Sequence, residues 1–512
     1  MSSRTYQSAI EDLNSLQSNA AVLDSIRAMG GRADQFAIPE MVEYLGRIGY
    51  NPANLNRLNA IHITGTKGKG STSAFTDSIL RYTKPDWKIG MYTSPHLVAV
   101  RERIRINGIP LSEDDFTKYF YQVWDKLQEN TTRRLESTSV MPSYFKFLTL
   151  LAFHTLLSER VNATILEVGV GGTYDSTNIV PQPVVAGVTA LGLDHVHILG
   201  KTLKEIAWQK GGIFKEGVPA FTVEQPAEAL EMLRQRAVEL KASKFTVVPL
   251  NHVISGIGLG LPGAHQYQNA SLAVDLVRAF LNDADVGAVL TEPFMAGLTE
   301  AKWPGRCQTI LDPRLRHTTW YLDGAHTSES LECCLQWFVS PNIGLVDQEQ
   351  PVHPIGHPDT GTQSDGLRIL IFNCTQGRSG ASLLRTVCDV VSKQLSTLNK
   401  ASDVDSFFNH VIFCTNVTYS DGHSKGDLTT VALPPETLAT LSVQHQLASS
   451  WSSLVPSFPS SHIHVLPTIE DTVQLVRIVD EQSKGPVKVL ITGSLHLVGG
   501  LLEAAGLAEQ VL

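Results

Sequence analysis

The sequence is poor in several features, and each shortage removes a class of protein. It has only six cysteines in 512 residues, at Cys307, Cys333, Cys334, Cys374, Cys388 and Cys414. None forms a Cys-x-x-Cys pair, so they read as buried, reduced thiols of an intracellular protein rather than as disulfides or a zinc site. No apolar run is long enough to cross a bilayer, which excludes membrane insertion. Met1 to Leu16 lacks the apolar core of a secretory signal, and no transit peptide is evident. A cytoplasmic location is expected, with a mitochondrial pool as the second. Positive charge is not in excess: the net charge is -9, which argues against a nucleic-acid partner. No internal repeat is visible. What is present is a globular composition, 43% hydrophobic and 18% charged, with enough core for two domains or more.

The stretch with the strongest chemical content is Ile61 to Thr72. Ile61, Ile63 and Thr64 form a β-branched run that enters Gly65-Thr66-Lys67-Gly68-Lys69-Gly70-Ser71, and a helix-compatible segment runs from Ser71 to Tyr82. Strand, glycine loop and helix N-terminus make an anion cradle, because backbone N–H groups and the helix dipole both favour phosphate. Lys69 is placed for the β/γ-phosphates and the Ser71 hydroxyl for Mg2+. The spacing departs from the usual P-loop: only two residues separate Gly65 from Gly68, and Gly70 stands between Lys69 and Ser71. The other reading of the stretch is an ordinary glycine-rich turn.

Before this loop, Ala9 to Leu16, Ala21 to Met29 and Pro39 to Ile48 carry apolar residues at helical spacing. After it come a strand at Lys88 to Tyr92, the alternating run Arg101 to Ile106 and a turn at Asn107-Gly108. Helices are predicted at Glu113 to Glu129, Ser143 to Ser158 and Leu203 to Gly211, and from Gly263–Asn269 to about Leu281. Strands are predicted at Ala163 to Val168, Val184 to Leu191 and Phe245 to Leu250. The alternation predicts an α/β fold with a mainly parallel sheet, whose strand ends line one crevice. A boundary is placed at residues 310–316, dividing the chain into 1–312 and 313–512. The second part contains strands at Thr318 to Leu322, Ile369 to Asn373, Val411 to Thr415 and Val487 to Ile491, a smaller doubly wound domain. Residues 340–366, rich in Pro, Gly, His and Asp, read as a surface insertion.

Several polar positions admit two readings. Glu167 ends a buried strand, where it either caps the following turn or holds Mg2+ with Ser71 or Ser94. His195, after Asp194, is a turn residue or a metal ligand. Lys210 reads first as a lysine snorkelling to the surface, and otherwise as a buried lysine open to modification. Arg306, after Pro304-Gly305, is a solvated loop arginine or a clamp for phosphate or carboxylate. Asp323 and His326 form a strand-terminal turn or face the crevice.

Taken together these stretches resemble the folylpolyglutamate synthase family, within the Mur-ligase-like ATP-dependent amide ligases. The resemblance rests on Gly65–Ser71, on Thr93-Ser94-Pro95-His96-Leu97 with Glu102-Arg103-Ile104, and on Glu167–Gly172 with Asp175 and Thr177-Asn178. It continues through Asp194-His195, Lys210-Gly211-Gly212-Ile213, His265-Gln266 with Asn269-Ala270, and Gly305-Arg306. Leu322-Asp323-Gly324-Ala325-His326 and Thr492–Gly499 complete it. These motifs run in family order over nearly the whole chain, and the last two look like the eukaryotic, fungal branch.

The resemblance implies a P-loop-type N-terminal ATPase domain, a smaller Rossmann-like C-terminal domain, and a monomer. It implies a ligase that adds L-glutamate through γ-linked amide bonds to folates, by way of an acyl phosphate. ATP and Mg2+ are the implied cofactors, with a monovalent cation such as K+ beside them. By matching position, Lys69, Lys210, His195 and Arg306 are catalytic, and Lys210 matches a lysine that relatives carry as a carbamate. Gly65, Thr66, Gly68, Lys69, Gly70, Ser71, Asn269, Arg306, Asp323 and His326 hold the nucleotide. Ser94, Glu167 and His195 hold metal, and Arg103, Ser494 and His496 face the acceptor or the incoming glutamate. Asn373–Arg378 departs from the family's Asn-x-Thr-Gly-Asp-Arg pattern. Dihydrofolate synthase, on the same scaffold, and a non-catalytic ATP-binding relative are the competing readings.

Overall fold

The computed structural model describes residues 4–17, 36–135, 138–282, 290–341, 343, 345, 366–374, 379–399, 404–421, 427 and 440–511. The helix expected at Ala21 to Met29, most of the 340–366 stretch and residues 375–378 lie outside them. The chain forms two compact units. Met1–His96, Val100–Gly260 and His265–Lys302 make the first; Leu97–Ala99, Leu261–Ala264 and Trp303–Leu512 make the second.

The first unit is built on eight strands: β1 (Ala60–Thr64), β2 (Ile89–Tyr92), β3 (Ile104–Ile106), β4 (Ile109–Pro110), β5 (Ala163–Glu167), β6 (Val185–Val188), β7 (Pro219–Val223) and β8 (Lys244–Val248). Their order in the sheet is β4-β3-β2-β5-β1-β6-β7-β8. β2, β5, β1, β6, β7 and β8 are parallel. Every residue of β1 and of β5 is buried, as expected of central strands covered on both faces. β3 and β4 add an antiparallel hairpin. Its turn residues Asn107 and Gly108 have φ of 51° and 78°, the left-handed pair that a two-residue hairpin turn requires. The alternating run before the hairpin is not all strand. Val100–Arg103 is a 3-10 turn, because Glu102 and Arg103 are both buried rather than alternating between sheet and solvent.

The N-terminal helices are longer at the start than their apolar spacing predicts. Tyr6–Ser15 begins where Thr5 and Ser8 form a capping box. Ala37–Arg47 takes Pro39 into its first turn, where a missing N–H removes no hydrogen bond. Ile10, Leu13, Met41 and Leu45 join Phe116, Phe120, Phe147 and Leu151 in one core that covers this end of the sheet.

The second unit holds β9 (Gln308–Leu311), β10 (Thr318–Leu322), β11 (Leu367–Phe372), β12 (His410–Cys414), β13 (Ile463–Leu466) and β14 (Val487–Thr492). The order is β13-β12-β11-β14-β10-β9, and only β9 is antiparallel. The unit's continuous part begins at Trp303, ahead of the expected division at 312/313, and β9 joins it by pairing with β10 through Leu311 and Thr319. β14, last in sequence, sits in the middle, between β11 and β10.

Candidate functional site

The glycine loop leaves the carboxyl end of β1, with the ends of β5 and β6 on either side and that of β2 next to β5. Ligands of open α/β sheets bind outside such strand ends. Gly68, at φ 87°, is the N-cap of the helix Lys69–Thr83 and gives its first turn no side-chain acceptor. The first amides of that helix therefore point outward for an anion. The loop is closely walled. A Cβ on Gly65 would lie 1.8 Å from Thr189 Oγ1, and one on Gly68 would lie 2.2 Å from Asn269 Oδ1.

The amides of Thr66 and Lys67 do not face outward. Both donate to the carbonyl of Ala190, at 3.0 and 3.1 Å. The Thr66 hydroxyl is 3.1 Å from Gly192 O, and Thr189 Oγ1 donates to Lys67 O at 2.6 Å. Thr66, expected on the nucleotide, thus anchors the loop to the segment after β6. The amides left without a side-chain cap are those of the helix that follows. Ser71 Oγ accepts from Gln266 Nε2 at 3.2 Å, and Gln266 Oε1 accepts from Asn269 Nδ2 at 2.9 Å. The pair lies one turn apart on the helix Gln266–Leu281 and orients the hydroxyl.

Lys210 is 3% exposed, which corrects the expectation of a surface lysine. Its Nζ donates to Gly65 O at 2.7 Å, and Lys69 Nζ donates to the same oxygen at 3.1 Å. Burial, then the like charge of Lys69, holds the Lys210 amine well below the usual lysine range, against the pull of Asp194 and Asp175.

Glu167 is buried at the end of β5 and pairs in register with Ile63 of β1. A Cβ at Gly169 would stand 3.7 Å from Ser94 Oγ, so the Ser94 hydroxyl comes to the same strand end. Asp175 shapes this corner. Its Oδ2 accepts from the amides of Gly169 and Val170, and its Oδ1 from the Thr177 amide and hydroxyl. Since the Thr177 hydroxyl donates to Asp175, His62 Nε2 must be the donor to Thr177 Oγ1, at 2.9 Å. Burial pushes His62 down to about 3, so it stays neutral. Arg103 is buried beside the Ser94 segment, its carbonyl accepting from Thr93 N at 2.9 Å. Its Nε donates to His96 at 3.0 Å, while Nη1 is buried without a hydrogen-bond partner among the described residues. Such a nitrogen is suited to a carboxylate.

A buried carboxylate with hydroxyls at neighbouring strand ends is a hard-oxygen set, which fits Mg2+. His195 fits less well. It has φ 49°, its side chain is 50% exposed, and imidazole suits transition metals better than Mg2+.

In the second unit, Arg306 precedes β9, Asp323 and His326 follow β10, and Ser494 and His496 follow β14. β10 and β14 are adjacent. Asp323 is fully engaged: Oδ2 accepts from the Cys307 amide at 2.8 Å and Oδ1 from the Ala325 amide at 2.8 Å. The carboxylate thus fastens the Arg306 loop to its own turn. A Cβ at Gly324 would be 2.7 Å from Arg306 Nη1, so the arginine lies over that turn. His326 Nδ1 is 2.8 Å from Gly324 O. Ser494 is buried and caps the helix Leu495–Ala504 through the Leu497 amide. His496 is half-buried on the same helix.

The expected set omitted Thr189, Ala190, Asp175 and Gln266. Of these, Asp175 and Gln266 had a signal, since both stand in the stretches that carry the family resemblance. The contacts of Thr189 and Ala190 depend on strand order.

No protein-family model matches the chain. The folylpolyglutamate synthase of Saccharomyces cerevisiae (strain FostersO) is 42% identical over 518 residues, which is 98% of this chain and 87% of that protein. The structure of Mycobacterium tuberculosis folylpolyglutamate synthase complexed with ADP aligns with a TM-score of 0.67 at 21% identity, covering 95% of this chain and 98% of that one. Escherichia coli FolC in complex with ADP aligns at 0.61 and 22%, covering 91% and 94%. At that identity the structures speak to the fold. The fold is two α/β units, one with a glycine loop between a parallel strand and a helix, and the yeast relative places the chain among the ligases. The chain belongs to the folylpolyglutamate synthase family, and its yeast relative fits the fungal branch.

Proposed function

We propose that the chain uses ATP to join L-glutamate in γ-linkage to a folate, building folylpolyglutamates. The observation that carries the reading is the meeting of Lys69 and Lys210 on Gly65 O at the mouth of the glycine loop. The γ-carboxylate of the folate's terminal glutamate attacks the γ-phosphate of ATP, and ADP leaves. The amine of free L-glutamate then attacks the acyl carbon, loses a proton and expels phosphate. In the first step negative charge grows on the phosphoryl oxygens. The Lys69 ammonium and the amides of Lys69, Gly70 and Ser71 oppose it.

Mg2+ fits Glu167 and the hydroxyls of Ser94 and Ser71, and supplies positive charge beside the phosphates; His195 belongs to a second metal position. Lys210, held below the usual lysine range, reacts as a free amine, and we assign it the carbamate that the family carries. Arg103, with a buried nitrogen to spare, takes a substrate carboxylate. In the second unit Arg306 and His326 are assigned to the nucleotide and His496 to the incoming glutamate, while Asp323 and Ser494 hold the turns that present them. The reading includes a monomer in the cytoplasm with a mitochondrial pool. No helix among the described residues is long and apolar enough to cross a membrane.

Purified protein given ATP, L-glutamate and monoglutamyl tetrahydrofolate will yield folates heavier by whole glutamyl units, detected by mass spectrometry. Dihydropteroate as acceptor tests the dihydrofolate synthase reaction in the same assay. ATP binding without acceptor-dependent ADP release would leave only a nucleotide-binding protein.

A further inference from the structure

Three histidines that the ligase reaction does not use meet at the edge of the second sheet. His410 opens β12. His464 lies on the neighbouring edge strand β13, in register with Ile412. Alternation along a strand puts His410, two residues before Ile412, on the face that carries His464. His462 lies just before β13, and its ring meets that of His410. His410 Nδ1 is 3.2 Å from His464 Nε2. The His410 and His464 ring centroids are 5.4 Å apart with the planes at 31°, and those of His410 and His462 are 4.5 Å apart at 32°. All three are half-buried.

The short nitrogen–nitrogen contact needs one ring as N–H donor and the other as lone-pair acceptor; two imidazolium rings could not make it. Burial, then the other two imidazoles, pushes His410 down to about 4, and burial also lowers His464. The contact itself thus requires a neutral ring in the His410–His464 pair, the state in which imidazole ligates metal.

We propose that His410, His464 and His462 form a binding site for a divalent transition-metal ion of the Zn2+ type. Nitrogens bound tetrahedrally to Zn2+ lie about 3.3 Å from one another, given bonds of about 2.0–2.1 Å. The His410–His464 contact already has that spacing. As the ion enters, the bridging N–H moves to the outer nitrogen of its own ring, so both facing nitrogens offer lone pairs and no proton is lost. The third ring must turn: no three donors of this kind among the described residues converge on one point as placed. His462 lies just ahead of the strand, in the 3-10 turn Ser460–His462, and swings from its stack onto the ion. All-imidazole ligation selects Zn2+, Ni2+ or Cu2+ over Mg2+, so the site is chemically separate from the oxygen set at Glu167. Its effect is to staple the edge strand β13 to β12.

Co2+ titrated into the full chain tests this, because nitrogen-bound Co2+ has visible d–d bands. One saturable equivalent is expected, displaced by Zn2+ and untouched by tenfold excess Mg2+. His410→Gln, His464→Gln and His462→Gln will each weaken Co2+ binding at least tenfold while the far-UV circular dichroism stays that of the parent. His462→Gln keeps the test usable should either strand substitution unfold the unit. A parent without d–d bands, or any of the three substitutions titrating as the parent does, overturns the site and leaves a stack that serves packing alone.

Discussion

Lys210 and Lys69 donate to one and the same backbone oxygen, that of Gly65, from 2.7 and 3.1 Å. A peptide carbonyl has two lone pairs, and here both accept from lysine side-chain nitrogens. The loop is thereby fastened at this oxygen by Lys69, which opens the following helix, and by Lys210, which is buried. Lys69→Ala removes the mouth charge. It is expected to cut folate- and glutamate-dependent ADP release by at least ~100-fold, the usual scale for losing a preorganised donor to developing charge. Near-normal turnover of the folded variant would refute the assignment.

Gly65 has φ 151° and stands against Thr189. Gly65→Ala is expected to cost about 1–3 kcal/mol of stability through strain and to weaken ATP binding more than tenfold. Urea unfolding and calorimetric titration read the two effects. Gly46→Ala is the control: it lies in the helix Ala37–Arg47 with nothing within 4 Å of the added methyl, and gains up to about 1 kcal/mol.

Glu167→Gln keeps shape and removes charge at the end of β5. The Mg2+ concentration for half-maximal rate is expected to rise at least tenfold at saturating ATP, with the fold unchanged by circular dichroism. A Mg2+ titration that overlays the parent's would rule the carboxylate out of the metal set.

Burial holds His62 at about 3 and His154 at about 4, against 6.5 for an ordinary histidine. Between those values the unfolded chain binds protons that the folded chain refuses. Stability therefore falls as pH drops from about 6.5 toward 4, by up to about 1.4 kcal/mol per unit for each group. Urea midpoints at pH 7 and pH 5 will register the fall, and His62→Gln will make it shallower. A midpoint independent of pH across that window would contradict the buried, neutral assignment.

Asp323→Asn exchanges one acceptor oxygen for a donor facing either the Cys307 or the Ala325 amide. It is expected to destabilise the protein by about 1–3 kcal/mol and to raise the KM for ATP as the Arg306 loop loosens. An unchanged melting temperature would show that the two amide bonds hold nothing in place.

The sequence makes those elements legible whose ends are marked by their own side chains. The helices Glu113–Glu129 and Leu203–Gly211 match expectation to the residue because Ser112 and Thr202 cap them. Thr318–Leu322 is likewise found as read. What escapes notice depends on partners distant in the chain. β9 is short, with Thr309 and Leu311 exposed, Gln308 half-buried and Ile310 buried, so it shows no strong pattern. Lys210 has the same neighbours whether it snorkels or is buried, and Gly65, 145 residues earlier, decides the matter. Thr66 was legible as part of a phosphate loop, but the use of its amide by Ala190 follows from β6 lying beside β1. The histidine cluster joins positions 54 residues apart and exists only through the pairing of β12 with β13.

The central place of β14 in the second sheet bears on how that unit is made. Until Val487–Thr492 has left the ribosome, β10 and β11 have no neighbour on their facing edges, and the backbone N–H and C=O groups that pair with it stand unmatched. The nascent chain carries these raw edges from the completion of Thr318–Leu322 until Val487–Thr492 is made. Premature termination even shortly before this segment would deprive the unit of its middle rather than trim its margin.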